Sequence, residues 1–220
     1  MKPNVGMKHP VAALVDTYTP GTSITYDDGC VVAEARGATL NWEGSDGEFY
    51  GDDVLLDSDV SIVGYTLDFE PSGLKTAVRA MLLGEKELED NGGYRVTGKG
   101  SPDVGFGYIR VMREDDEDDG TVGETYEAWW FYRLKFKINS EETRTKEKSL
   151  EWRVPTLNGK GMGIFLDDSG EPAFADHKDF DSYSDAVTWL ESMAGIEAAS
   201  DNTQTETQTQ TQGSTTPSNP

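Results

Sequence analysis

The chain has 220 residues and a formal net charge of -22, from 41 acidic residues against 19 basic ones. A surface that negative serves solubility and repels phosphate backbones and anionic bilayers, which disfavours DNA or lipid binding by charge neutralisation. Cys30 is the single cysteine, so a disulfide framework within the chain and a thiolate metal cluster are excluded, and an idle thiol suits folding in a reducing cytoplasm.

The first residues, Met1 to Gly6, lack the apolar centre of a secretory signal. The strongest apolar runs, 11–15 and 128–132, are too short to cross a bilayer. The expectation is a soluble protein made in the cytoplasm. Between Gly37 and Leu74 there is no Lys or Arg, while Glu43, Asp46, Glu48, Asp52, Asp53, Asp57 and Asp59 are acidic. Trp42, Phe49, Tyr50, Val54, Leu55 and Leu56 are interleaved with them. Such a segment is either a small local core or a contact surface.

Val63, Tyr65, Leu67 and Phe69 alternate with Ile62, Gly64, Thr66 and Asp68, the period of a strand with one buried face. Ser72 is placed to cap a helix whose stripe is Leu74, Ala77, Val78, Met81 and Leu82, with Gly84 as its stop. Residues 93–99, Gly-Tyr-Arg-Val-Thr-Gly-Lys, match the spacing of a phosphate-binding loop. The next residue is Gly100, where a Ser or Thr should hold magnesium, and no helical pattern follows. A strand ending in a glycine turn fits better, which removes the basis for a nucleotide-dependent enzyme.

The six acidic residues 114–119 invite a calcium reading. Counting from Asp115, the bidentate carboxylate is due at Tyr126, and strand-like segments flank the run. A solvated hairpin tip is expected, its like charges discouraging edge pairing. Residues 125–138 form the clearest strand, with Tyr126, Ala128, Trp130, Tyr132, Leu134, Phe136 and Ile138 on one face. The opposite face starts with Trp129 and Phe131 and turns basic at Arg133, Lys135 and Lys137. At about 3.3 Å per residue it reaches about 45 Å, long for a strand inside one domain. Arg144, Lys146, Lys148 and Arg153 continue the basic stretch. Separate acidic and basic surfaces suit head-to-tail association, in which one subunit's acidic segment meets its neighbour's basic strand.

Ser182 with Asp185 resembles a capping box; Tyr183, Ala186, Val187, Leu190 and Ala194 form the buried stripe, and Gly195 the stop. From 200 to 220 the chain is rich in Thr and Gln with no apolar face, the composition of a disordered tail. The expected organisation is one domain, 1–199, mainly β with two short helices (α+β), built as a β-sandwich or open barrel flanked by helices. His9 and His177 are the only histidines and no nucleophile elbow is present. No catalytic residue, metal site or cofactor is expected.

Several segments, in this order and spacing, resemble the major tail proteins of long-tailed, non-contractile bacteriophages. They are 48–55 (Glu-Phe-Tyr-Gly-Asp-Asp-Val-Leu), 104–110 (Val-Gly-Phe-Gly-Tyr-Ile-Arg) and 126–137 (Tyr-Glu-Ala-Trp-Trp-Phe-Tyr-Arg-Leu-Lys-Phe-Lys). Shorter ones follow: Glu141-Glu142, Thr145-Lys146, Ser149-Leu150-Glu151-Trp152, Pro155-Thr156-Leu157, Phe180-Asp181 and residues 186–190.

The resemblance spans roughly residues 31–190 and implies a virion structural protein and no enzyme. It implies six-membered rings stacked into a tail tube, with the inner sheets of neighbouring subunits joined around a conduit for DNA ejection. The partners it implies are further copies of the chain, a tape measure, a tail terminator and a distal tail protein, with genomic DNA passing through without tight binding. The family's long loop between early strands, which bridges subunits, corresponds to residues 44–59. Trp42, Phe49, Tyr50, Asp52, Asp53, Val54, Leu55 and Leu56 are the candidate assembly residues of the acidic segment, and Arg133, Lys135 and Lys137 those of the basic strand. The acidic run and the Thr/Gln tail depart from the family pattern. A glycan-binding β-sandwich at a virion or cell surface is the alternative, resting on the aromatics 129–132.

Overall fold

Alternating apolar residues set most of the backbone into strands, and the computed structural model describes residues 3–51, 54–89, 92–115, 122–138 and 155–196. In chain order these form β1 (Asn4–Thr19), β2 (Ser23–Val31), β3 (Ala35–Gly51), β4 (Val54–Pro71), α1 (Thr76–Leu83), β5 (Lys86–Glu87) and β6 (Tyr94–Arg95). Then come β7 (Val104–Asp115), β8 (Val122–Ile138), β9 (Leu157–Gly161), β10 (Ala175–Phe180) and α2 (Tyr183–Met193). The chain is mainly β with two helices, the α+β class that the alternation implies.

One antiparallel sheet runs β2-β1-β7-β8-β9-β4-β3, with β10 added beside β8, and β5 pairs with β6 as a separate ribbon. β1 and β3 touch without being paired, so the sheet curls. Its inner face holds Tyr65, Leu67 and Phe69 of β4, Phe106 of β7, Phe131, Leu134 and Phe136 of β8 and Leu157 of β9, with Val78 and Leu82 of α1. The opposite face of β1, β7 and β8 buries Val11, Ala13, Ile109, Ala128 and Trp130 under Ala186 and Leu190 of α2 and Ala194 at its C-cap. Burying each large apolar side chain in these layers is worth about 1.5–3 kcal/mol.

The two cores meet in β8. Its first half pairs with β10 (Phe131↔Ala175 to Tyr126↔Phe180), its second with β9 (Leu134↔Gly161 to Ile138↔Leu157). Between them the register against β7 slips, from Phe106↔Phe131 to Val104↔Leu134. Tyr132 and Arg133 thus form a bulge that reverses which face each later residue takes. The seven residues expected on one face are therefore divided. Ala128, Trp130 and Tyr132 lie in the α2 core and Leu134 and Phe136 in the inner core, while Phe131, expected opposite Trp130, is equally buried.

The bulge disrupts ladder bonding, and other groups satisfy its backbone. Tyr132 N–H donates to Phe174 O at 3.2 Å, and Met162 N–H to Arg133 O at 3.0 Å. Tyr26 Oη donates to Tyr132 O at 2.9 Å and accepts from Trp130 Nε1 at 3.3 Å; Tyr65 Oη donates to Arg133 O at 3.4 Å.

Burial pushes the Tyr26 and Tyr65 phenols well above their ordinary value of 10.0. The folded state thus holds these protons more tightly than the unfolded chain. Their stabilising contribution is complete below about pH 10 and is lost as pH rises above it. In alkaline titration both phenols are expected to ionise only together with unfolding, phenolate absorbance rising in step with loss of β-sheet circular dichroism. Free titration of both near pH 10 in folded protein would contradict this.

The helices differ from expectation at their starts. Lys75, not Ser72, is the N-cap of α1, and no side chain caps it. Ser72 instead gives both its N–H (2.7 Å) and its hydroxyl (2.8 Å) to Glu34 O, fastening the end of β4 to the start of β3. Ala77 is exposed and Ala80 takes its place in the buried set with Val78 and Leu82. Gly84 ends α1 with φ 69°, its N–H on Ala80 O, the left-handed stop that glycine permits. Ser182 is the N-cap of α2, but its hydroxyl meets Ser184 Oγ at 2.8 Å and no capping box forms. Tyr183 is exposed, Val187 half-buried, and Ala186, Leu190 and Ala194 are buried as the period requires.

Candidate assembly surfaces

β3 and β4 pair along their whole length, from Ala35↔Pro71 to Gly51↔Val54. β9 covers the other edge of β4 only from Tyr65 to Phe69, and β3 ends the sheet. Beyond Tyr65 the hairpin therefore continues as a two-stranded arm, residues 43–51 and 54–64, without a further strand beside it among the described residues. The segment 44–59, expected as a long loop, is this ribbon. Register breaks at Glu43/Gly44 and Phe49/Tyr50 make Val63 and Leu56 the extra residues on β4. The first sits where the arm leaves the sheet, and such a bulge bends and twists its strand.

At the root of the arm, Trp42 is 41% exposed and meets Tyr65 edge-on at 5.5 Å and Phe174 at 6.3 Å. Ile62 and Val63 are also exposed, although alternation put Val63 on the face of Tyr65, Leu67 and Phe69. The bulge accounts for the difference. Phe49 pairs with Asp57, Tyr50 with Leu55, and Val54 with Gly51. Asp52 and Asp53 lie outside the described residues, as do residues 116–119 of the acidic run, basic residues 144, 146, 148 and 153, and the tail 200–220. β7 and β8 pair antiparallel up to Asp115↔Val122, and the tip expected at the acidic run falls beyond that pair, outside the described residues.

The basic residues of β8 separate into two environments. Arg133, in the bulge, donates from Nη2 to Asp103 Oδ2 at 2.7 Å, and its guanidinium lies 5.4 Å from the Tyr18 ring. It is engaged within its own chain. Lys135 and Lys137 are exposed on the outer face, opposite the buried Leu134 and Phe136. Cross-strand register adds a residue the sequence did not single out, since Lys160 of β9 lies directly opposite Lys135. The row continues to Thr66 and Asn41; the next runs Lys137, Asn158, Asp68 and Thr39. Asn158 Nδ2 donates to Asp68. Lys135 Nζ is 3.6 Å from Asp103 Oδ1. Among the described residues no carboxylate pairs with Lys137 or Lys160. Two lysines directly opposed across strands repel one another.

The aromatics behind the glycan alternative are mostly interior: Trp130 and Phe131 are fully buried and Tyr132 nearly so. Trp129 is half-buried, stacked on His177 at 4.6 Å and approached by the Arg110 guanidinium at 4.6 Å, so its ring is already occupied by protein groups. Residues 93–99 form the short β6 and a turn, and the next element is strand β7, not the helix that phosphate binding requires. Among the described residues no three His, Cys, Asp or Glu side chains converge as a metal site, and no helix is long and apolar enough to cross a membrane. No protein-family model matches the chain, and no curated protein matches it.

Proposed function

We propose that the chain is the structural subunit of a bacteriophage tail tube, assembling head-to-tail into six-membered rings that stack around a conduit for DNA. It carries out no catalysis. The observation that carries this reading is the β3–β4 arm, a ribbon that runs past the end of β9 with no further strand beside it among the described residues. An isolated two-stranded ribbon is marginal in water, so an arm of this length gains its stability from a surface of another molecule. Heterologous contacts of that kind close into rings or continue as filaments. The net charge of -22 suits a tube that DNA must slide through, because like charge keeps phosphates from adhering to the wall.

The partners of such a subunit are further copies of itself and, at the tube's ends and inside it, the terminator, distal tail and tape-measure proteins. Its place is the virion tail, reached after synthesis in the host cytoplasm, with no membrane involved. Negative-stain electron microscopy of the concentrated pure protein tests the reading. Rings or tubes of uniform diameter are expected; isolated particles at all concentrations and salt conditions would overturn it.

A further inference from the structure

α2 is tied to the body unevenly. Toward its end Leu190 and Ala194 are buried, and Glu191 Oε1 lies 2.9 Å from His9 Nε2 on β1. At its start no side chain caps the helix, so the first-turn N–H groups lack the partner that a capping hydroxyl supplies. A ring contact holds that end instead. β10 finishes at Phe180, which is paired with Tyr126, and α2 begins just beyond it. The turn between them lays Tyr183 against Tyr126, with ring centroids 5.5 Å apart and planes tilted by 55°.

Among the described residues this is the only pair of tyrosine rings in contact; Tyr26, Tyr65 and Tyr108 meet Trp or Phe rings. Both phenols are reachable. Tyr183 is 37% exposed, and the half-buried Tyr126 donates its hydroxyl to Oε2 of the exposed Glu124 at 3.1 Å. Lys8 Nζ stands 5.9 Å from the centre of the Tyr126 ring and 5.4 Å from that of Tyr183. One ammonium thus faces both rings and holds them together.

We propose that Tyr126 and Tyr183 form an oxidative cross-linking site, which a one-electron oxidant of the peroxidase and hydrogen peroxide class closes into a dityrosine bond between β8 and α2. This does not depend on the tube-subunit reading. Each phenol gives up one electron and its hydroxyl proton; the proton of Tyr126 passes to Glu124 and that of Tyr183 to water. The two phenoxyl radicals couple through ring carbons ortho to oxygen, forming one carbon–carbon bond. The hydrogen on each coupled carbon then moves to its oxygen and restores both phenols. Two electrons and two protons leave in all, and one hydrogen peroxide takes them to become two waters.

Coupling requires rings that already touch. Pairing to Val111 on one side and Phe180 on the other fixes Tyr126, and the short turn after β10 fixes Tyr183, the preorganisation that makes reaction within the pair outrun reaction between molecules. A single cysteine leaves no disulfide to staple the fold. The tyrosine pair supplies a covalent tie in its place, at the end of α2 that has no cap.

The test treats the pure full-length protein with peroxidase and hydrogen peroxide and reads dityrosine fluorescence, intact mass and cross-linked peptides. The parent is expected to gain the emission, to lose two hydrogens while running as a single chain on a denaturing gel, and to yield a peptide joining Tyr126 to Tyr183. The cross-linked protein should melt at least about 5 °C higher, because a bond between distant residues restricts the unfolded chain. Tyr126→Phe and Tyr183→Phe each keep the ring and remove only a hydroxyl, and thermal melting checks that both fold. Both should lose the single-chain emission and the joined peptide. Emission retained in either variant, a cross-link found only between chains, or a parent without emission while free tyrosine in the same mixture forms dityrosine, would overturn the site. A joined peptide with no rise in melting temperature would overturn the staple.

Discussion

Replacing residues 45–61 by Asn-Gly is expected to give a monomer that melts close to the parent and forms neither rings nor tubes. The excision joins Gly44 to Ile62, which are already paired, through the two-residue turn that best matches strand twist. The main core draws from β4 only Tyr65, Leu67 and Phe69 among the described residues, and β9 covers only that part. The melting temperature should shift by less than about 4 °C, the equivalent of about 1 kcal/mol for a domain of this size. The concentration required for assembly should rise at least about 100-fold, or about 2.7 kcal/mol per contact. Sedimentation and electron microscopy read the second effect, differential scanning calorimetry the first. Normal tubes from the shortened protein would remove the arm from any role in association. A large loss of stability would make it part of the subunit's own core.

The second large effect is on folding. Gly161→Ala places a Cβ 1.9 Å from Tyr65 Cζ and 2.1 and 2.3 Å from the two ε carbons of the same ring. Tyr65 is fully buried, with Phe131 at 5.1 Å, Trp42 at 5.5 Å and Phe174 at 6.3 Å around it. The ring has no free volume to enter, and its hydroxyl is held on Arg133 O. Either Tyr65 leaves its position or β9 detaches from β4 and β8, to both of which Gly161 is paired. Overpacking of a rigid core costs about 3 kcal/mol in severe cases, which corresponds to a fall in melting temperature of about 10 °C. Tyr65→Leu in the same background should recover part of the loss by removing the ring that the new methyl meets. Denaturant unfolding of the three variants measures it; a loss under about 0.5 kcal/mol for Gly161→Ala would mean the backbone moves aside freely.

Much of the interior was legible because its periods are simple. Tyr65, Leu67 and Phe69 follow strict alternation into the inner core, and Ala186, Leu190 and Ala194 follow helical spacing under α2. Gly84 was legible as a stop because a left-handed residue at a helix end has few candidates. The face assignment of β8 failed at Tyr132 and Arg133 because apolar residues stand on both sides of the strand there. A run in which Trp130 and Phe131 are both buried gives no sign of where the phase changes. Ser72 was misread because its hydroxyl is satisfied by Glu34 O, 38 positions away, a partner that local sequence does not reveal.

The charged surfaces put forward as candidates were legible in part. Charge segregation between 37 and 74 pointed to the acidic segment, but the resemblance implied a loop there, and pairing between its two halves gives a ribbon instead. Lys135 and Lys137 stood out by adjacency in the chain. Lys160 could not, since it lies between Gly159 and Gly161 and acquires its meaning only from the register that sets it opposite Lys135. Arg133 looked equivalent to its neighbours, and the bulge turns it instead toward Asp103 and Tyr18.

The slip at Tyr132 and Arg133 also bears on how the fold withstands pulling. Tension on the arm would travel along β4 into β9 and then into β8, whose residues 126–131 are bonded to β10 and whose residues 122–134 are bonded to β7. These strands lie alongside one another, so the load falls on many hydrogen bonds at once and slides the strands lengthwise instead of unzipping them one pair at a time. A single continuous strand shared by both layers leaves no seam at which the fold could part under such a load.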